Sequence, residues 1–161
     1  MTPDELIRHL ERLEIEVERH RHPPLHTVEE SRRLRGDLPG THCKNLFLRD
    51  KKKRSWLLVT LEDQAVDLAQ MAKRVGAGRF SFGRPERLME VLGIEPGAVS
   101  PLALVNDPDH RVSVVLDEEM MRSEWLNYHP LTNEQTVTIR ASGLRRFLDD
   151  TGHRVLEVSF L

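Results

Sequence analysis

The sequence predicts a mixed α+β (α/β) fold: a single domain over residues 1–161, with one mixed, mostly antiparallel sheet flanked by helices. Two observations carry that expectation. Segments with apolar residues three and four apart alternate with segments whose apolar residues recur at every second position. One pair of strand-like segments is also joined by a short polar tip that suits a hairpin. With 161 residues, 39% of them hydrophobic, the chain can bury about 70% of its unfolded surface in one core.

Thr2, Pro3 and Glu5 take the N-cap, N1 and N3 positions of a capping box, and Leu6, Leu10 and Leu13 follow at helical spacing. A helix near 3–13 is expected. Ile15 and Val17 then alternate with glutamates, the period of a half-buried strand. Thr27 with Glu30 opens a short helix that Gly36 can end, and "DLPG" turns into the next strand. Residues 42–49 and 55–61 read as a hairpin around "DKKKR".

A helix near 63–75 carries Ala65, Leu68, Ala69 and Ala72 on one face and stops before Gly76. "GRPERLMEVLG" predicts another, with Pro85 in its first turn and Gly93 at its end. Beyond the loop "IEPGAVSP", the segments "LALVN", "RVSVVLD", "TVTIR" and "RVLEVSF" read as β-rich, with the helix "ASGLRRFLDDTG" before the last. No internal repeat, low-complexity tract or domain-length linker interrupts this order.

A formal net charge of -2 argues against coating nucleic acid or membrane by bulk electrostatics, so a polyanionic partner would have to meet a local basic patch. The single cysteine, Cys43, cannot form an internal disulfide and removes the paired-cysteine zinc patterns. With no apolar run of 18 residues and no signal-like N-terminus, a cytoplasmic home is expected. Serine-hydrolase elbows, phosphate-binding P-loops and dinucleotide fingerprints are missing from the sequence.

Lys44 sits inside an otherwise apolar strand and shares side-chain parity with Leu46 and Leu48, while Cys43, Asn45 and Phe47 face the other way. It either snorkels from the strand end or stands at the lip of a pocket awaiting an anionic or carbonyl-bearing ligand. Cys43 as a nucleophile has only the distant His129 as a base, because its neighbour His42 points to the opposite face; a small buried hydrophobe is the stronger reading. His20, His22 and His26 have no completing ligand set for a metal. In "GAVSP", Gly97 and Pro101 can hold main-chain amides toward a ligand. The cations of "DKKKR" suit a solvated hairpin tip or contacts to phosphates.

Taken together, "HCKNLFL", "GAVSPLALVND" and "NYHPLTNEQTVTI", in that order, resemble the YbaK-like family of prolyl-tRNA synthetase-associated editing domains, and within it the freestanding ProXp-ala (ProX) branch. The likeness covers nearly the whole chain. It implies hydrolysis of the ester between a wrongly attached small amino acid and tRNA, with Ala-tRNA(Pro) as substrate and Pro-tRNA(Pro) spared by steric exclusion. It needs no cofactor or metal. The resemblance carries catalytic roles to Lys44, Gly97, Ser100, Pro101 and His129, and substrate-lining roles to Thr27, Asn45, Ala98, Val99 and Asn133. Lys51, Lys52, Lys53 and Arg54 would meet tRNA, and prolyl-tRNA synthetase is a second expected partner. The alternatives are a deacylase for Cys-tRNA(Pro) or another small-amino-acid tRNA, a nonenzymatic tRNA-binding module, and a small-molecule-binding domain.

Overall fold

The structure is a computed structural model that describes residues 1–24 and 38–161. The short helix expected from Thr27 lies outside the described residues. Helix α1 (Pro3–Arg12) starts where its capping box places it: the Thr2 hydroxyl accepts from the Glu5 amide and the Glu5 carboxylate from the Thr2 amide, each at 3.1 Å. Its buried face carries Leu6, Ile7 and Leu10. Ile15 is buried ahead of the strand that follows, β1 (Val17–Arg21), so the alternating stretch is half turn and half strand.

Strands β2 (Thr41–Arg49) and β3 (Ser55–Leu61) form the expected antiparallel hairpin, with Lys44 opposite Thr60. Asp50 organises its tip: one carboxylate oxygen accepts from the Lys52 and Arg54 amides and the other from the Trp56 indole. Helix α2 (Leu68–Arg74) is shorter than the 63–75 expected, because Asp67 caps it by accepting from the Gln70 amide at 3.1 Å. Strand β4 (Ser81–Phe82), two residues long and not predicted, joins the edge of β2. Helix α3 (Pro85–Leu92) ends on a left-handed Gly93, as expected.

"LALVN" is a correction: Pro101–Asn106 forms a 3-10 helix, not a strand. Pro101 supplies its first position and the Ser100 hydroxyl caps it by accepting from the Leu102 amide at 3.0 Å, a start signal that outweighs the apolar composition. Strands β5 (Val112–Asp117), β6 (Trp125–Tyr128) and β7 (Gln135–Arg140), helix α4 (Ala141–Thr151) and strand β8 (Val155–Val158) complete the chain.

The strands run β1-β7-β6-β2-β3-β5-β8, with four antiparallel and three parallel pairs. One face packs Leu57, Val59, Val114, Leu116, Val137 and Ile139 against α1, α3, α4 and the turns around Ala98 and Leu102. Gly143 lets α4 lie close: a Cβ there would stand 2.9 Å from Ile15. The other face packs Leu48, Trp56, Leu58 and Val115 against Met71, Phe80 and Phe160. None of the described helices is long and apolar enough to cross a membrane.

Candidate active site

Strand β2 touches both halves of the sheet. It pairs with β6 only at Thr41 and His42 and meets β4 only at Leu48 and Arg49. Between those contacts, from Cys43 to Phe47, no described strand lies along this edge. Lys44 and Asn45 sit in the middle of that gap. The Gly83 amide reaches the Phe47 carbonyl across it, whereas the His42 carbonyl accepts from Glu62 on the β3 side. Alternation along the strand therefore turns the Asn45 amide and carbonyl toward the gap.

The parity read from the sequence holds. Cys43 and Phe47 belong to the core that includes Ala98, Val99 and Leu102, and Leu46 and Leu48 belong to the opposite one. Lys44 is half-buried, and among the described residues no hydrogen bond or ion pair reaches its ammonium. The Asn45 Oδ1 is buried, and among the described residues no donor reaches it. A buried acceptor left unpaired costs about 1–3 kcal/mol, so this oxygen is a point where a further donor would be stabilising.

Gly97 through Pro101 forms a tight arch. The Ala98 amide donates to Glu95 at 2.9 Å and the Val99 amide to Pro96 at 3.4 Å, which closes a 3-10 turn over Pro96–Ala98. Among the described residues the Gly97 and Ser100 amides have no acceptor. The Ser100 side chain is fully buried as a cap, and Pro101 is buried behind it. Gly97 is exposed and faces Asn133: a Cβ on it would lie 3.4 Å from the Asn133 amide nitrogen. Gly97, Ala98, Leu131, Thr132 and Asn133 line a cleft of about 770 Å³ that Glu95 and Glu134 also border.

His129 directly follows β6, two residues before the first β6–β7 residue that lines the cleft, Leu131. Its Nδ1 donates to the Gln135 carbonyl at 2.8 Å, which leaves Nε2 as the lone-pair nitrogen of the neutral ring. Burial pushes its pKa below the ordinary histidine value, against the Gln135 carbonyl, which raises it. The His22 ring meets it edge-on, with centroids 6.3 Å apart. His22 itself reaches the Thr136 hydroxyl at 3.0 Å, and His20 reaches Thr138 at 3.2 Å. These two histidines thus serve the hydroxyl row of β7, and the described residues hold no cluster of three or more metal-binding side chains. His22 is the neighbour that sequence reasoning missed; its signal was the alternation of His20 and His22 beside β7 threonines.

Burial lifts the Cys43 thiol to about 12, so it is no nucleophile near neutral pH. The structure brings Gly97, Ala98 and Asn133 together, and His129 is not among the residues that line their cleft. Lys44 leaves the other face of β2 and does not line their cleft. The four cations of the hairpin tip are exposed and divided: Lys53 joins Arg49, Arg84 and Arg87 in one crevice, and Arg54 turns into another. Thr27 lies outside the described residues.

Residues 22–147 match the family described as aminoacyl-tRNA editing domain. A Danio rerio protein, prolyl-tRNA synthetase associated domain-containing protein 1, is 37% identical over 158 residues, covering 97% of this chain and 86% of that one. The prolyl-tRNA editing protein ProX of Acetoanaerobium sticklandii is 32% identical over 149 residues, covering 92% and 91%. A solved structure described as a candidate trans-editing enzyme for prolyl-tRNA synthetase shares the fold with a TM-score of 0.71, at 21% identity over 99% of this chain and 98% of that one.

Proposed function

The chain belongs to the aminoacyl-tRNA editing domain family, and from that premise we propose that it is a trans-editing deacylase that hydrolyses the ester of Ala-tRNA(Pro) and spares Pro-tRNA(Pro). The observation that supports this most is the open stretch of β2, where the half-buried Lys44 and the buried Asn45 Oδ1, on opposite faces of one strand edge, have no partner among the described residues. One waits for an anion and the other for a donor. The 3′ end of a charged tRNA offers both, a phosphate and the α-ammonium of its amino acid.

An aminoacyl ester is already activated, so the site has only to place water and hold the tetrahedral oxyanion. The exposed Gly97 amide of the arch holds the carbonyl oxygen as negative charge gathers on it, and the buried Ser100 cap keeps the arch in shape. Water adds to the carbonyl carbon, the carbon–oxygen bond to the ribose breaks, and the proton from water goes to the departing ribose oxygen. The vicinal ribose hydroxyl positions that water. Pro101 fixes the arch and Asn133 its far wall, while His129, neutral and with no described partner on Nε2, hydrogen-bonds the substrate. Cys43, fixed as a thiol, takes no part.

Selection works by size. A pyrrolidine ring must be kept out, which walls achieve more readily than they achieve preference, since one methylene changes binding by only about 1–3 kcal/mol. Ala98, Val99 and the apolar core behind them form that wall. The hairpin cations meet the tRNA backbone, and prolyl-tRNA synthetase is the partner that would hand over the mischarged product.

The test offers Ala-, Cys- and Pro-tRNA(Pro) to the protein and to Lys44→Ala. Ala-tRNA(Pro) is expected to lose its ester well above the spontaneous rate, Pro-tRNA(Pro) to survive, and Lys44→Ala to fall toward background. Hydrolysis of none of the three overturns the proposal, and preference for Cys-tRNA(Pro) moves it to the cysteine substrate.

A further inference from the structure

Strands β3, β5 and β8 begin at one edge of the sheet, where a crevice of about 400 Å³ opens under the end of α2. The register sets Trp56 beside Ser113, and Arg154, next before Val155, falls opposite Ser113 on the same face. Arg54 and His110 complete the polar rim, and Val75 and Leu156 add apolar wall. Trp56 and Thr60 are four residues apart on β3, about 13 Å, so this crevice lies at the edge of the sheet away from Lys44.

No carboxylate lines it. The Arg154 and Arg54 side chains are exposed, and no hydrogen bond or ion pair to a described residue reaches either guanidinium. Asp50 is electrostatically linked to Arg54, but its oxygens are taken by the Lys52 and Arg54 amides and the Trp56 indole. The Ser113 hydroxyl is likewise unused among the described residues. Two helices end at the rim, and free carbonyls there would repel an anion. Those carbonyls are capped: His110 Nε2 takes Thr151 at 2.7 Å, the Gly152 amide takes Leu148 and Asp149, and the Gly76 amide takes Lys73. Gly152 is what lets His110 lie there, since a Cβ on it would stand 3.1 Å from two atoms of that ring.

We infer that this crevice is a second ligand site that binds a phosphate monoester, gripped by Arg54 and Arg154 with Ser113 donating, its organic body lying on Val75 and Leu156. Two forked guanidiniums lining one crevice suit the oxygens of phosphate, and the apolar walls leave room for more than the bare ion. A free mononucleotide and a terminal phosphate of RNA share this chemistry.

Trp56 in the floor supplies the signal. In a Trp125→Phe background it is the only indole, and its fluorescence is followed during titration with inorganic phosphate and with AMP. Saturable responses are expected, AMP tighter than phosphate, with Arg154→Gln weakening both at least about tenfold and Arg154→Lys by less. Displacement of AMP by uncharged tRNA assigns the phosphate to RNA, and failure to displace assigns it to a free ligand; either keeps the site. No saturable response up to about 10 mM, or a response unchanged in both Arg54→Gln and Arg154→Gln, overturns it. Because no aminoacyl ester is present, this outcome is independent of the deacylation assay.

Discussion

Gly97 and Asn133, 36 positions apart in sequence, face each other so closely that a methyl group on the glycine would sit 3.4 Å from the asparagine amide nitrogen. Gly97 has no positive φ, so alanine fits the backbone there, and the lost chain freedom stabilises by about 0.4–1 kcal/mol. Gly97→Ala is therefore expected to melt at or slightly above the parent temperature. In the proposed mechanism the added methyl stands where the ester carbonyl approaches, so deacylation should fall at least about tenfold, some 1.4 kcal/mol of transition-state stabilisation. Unchanged kcat/KM would move the reaction away from this arch.

Asn45 separates function from stability. Its Oδ1 is buried without a donor among the described residues, so replacing the side chain with valine removes an unmet acceptor and adds a good strand former. Asn45→Val should hold or gain about 1 kcal/mol in urea unfolding and lose most deacylase activity. A variant that loses stability in step with activity would make Asn45 a packing residue.

The hairpin, the capping box of α1 and the parity of Lys44 were legible because each is a local rule of spacing. The 3-10 helix at Pro101 was misread because leucine and valine content suggested a strand while Ser100 and Pro101 supplied a helical start. Strand β6 carries only four residues and is followed closely by Pro130, too short for a period to show. The open edge of β2 could not be read at all, since it depends on where β6 turns away. Family likeness named Asn45 and Asn133; only the fold shows that one lacks a donor among the described residues and the other meets Gly97.

Cys43 should behave as a buried thiol. Its folded pKa of about 12 lies above the usual value near 8.5, so the native state holds the proton more tightly than the unfolded chain. That contribution to stability is full below about pH 8.5 and is lost as pH rises toward 12. Alkylation by iodoacetamide at pH 8 is expected to be far slower in the folded protein than in urea, and Cys43→Ala should retain deacylation. Fast alkylation with loss of activity would return the thiol to the mechanism.

His129 has the opposite sign. Burial lowers its folded pKa below the usual 6.5, with the neighbouring His22 charge adding to the shift. The unfolded chain binds the proton first, so the stability this residue contributes is full above about pH 6.5 and is lost as pH falls below it. Urea midpoints measured from pH 7.5 to 5 should decline less steeply for His129→Gln, whose amide can still donate to the Gln135 carbonyl. Equal slopes would show that the ring titrates as it does in the unfolded chain.

The hairpin tip separates binding from chemistry. Asp50 holds the turn through its three accepted hydrogen bonds, so Lys51, Lys52 and Lys53 can be neutralised without disturbing its backbone. Lys51→Gln, Lys52→Gln and Lys53→Gln together should weaken binding of uncharged tRNA and flatten the dependence of log affinity on log salt by about two to three units if each lysine meets one phosphate. The tip lies at the far end of β3 from Thr60, the partner of Lys44, so the rate with saturating Ala-tRNA(Pro) should stay near the parent value while KM rises. A salt slope identical to that of the parent would show that these lysines only keep the edge of the hairpin soluble, leaving Arg49, Arg84 and Arg87 as the cations to examine next.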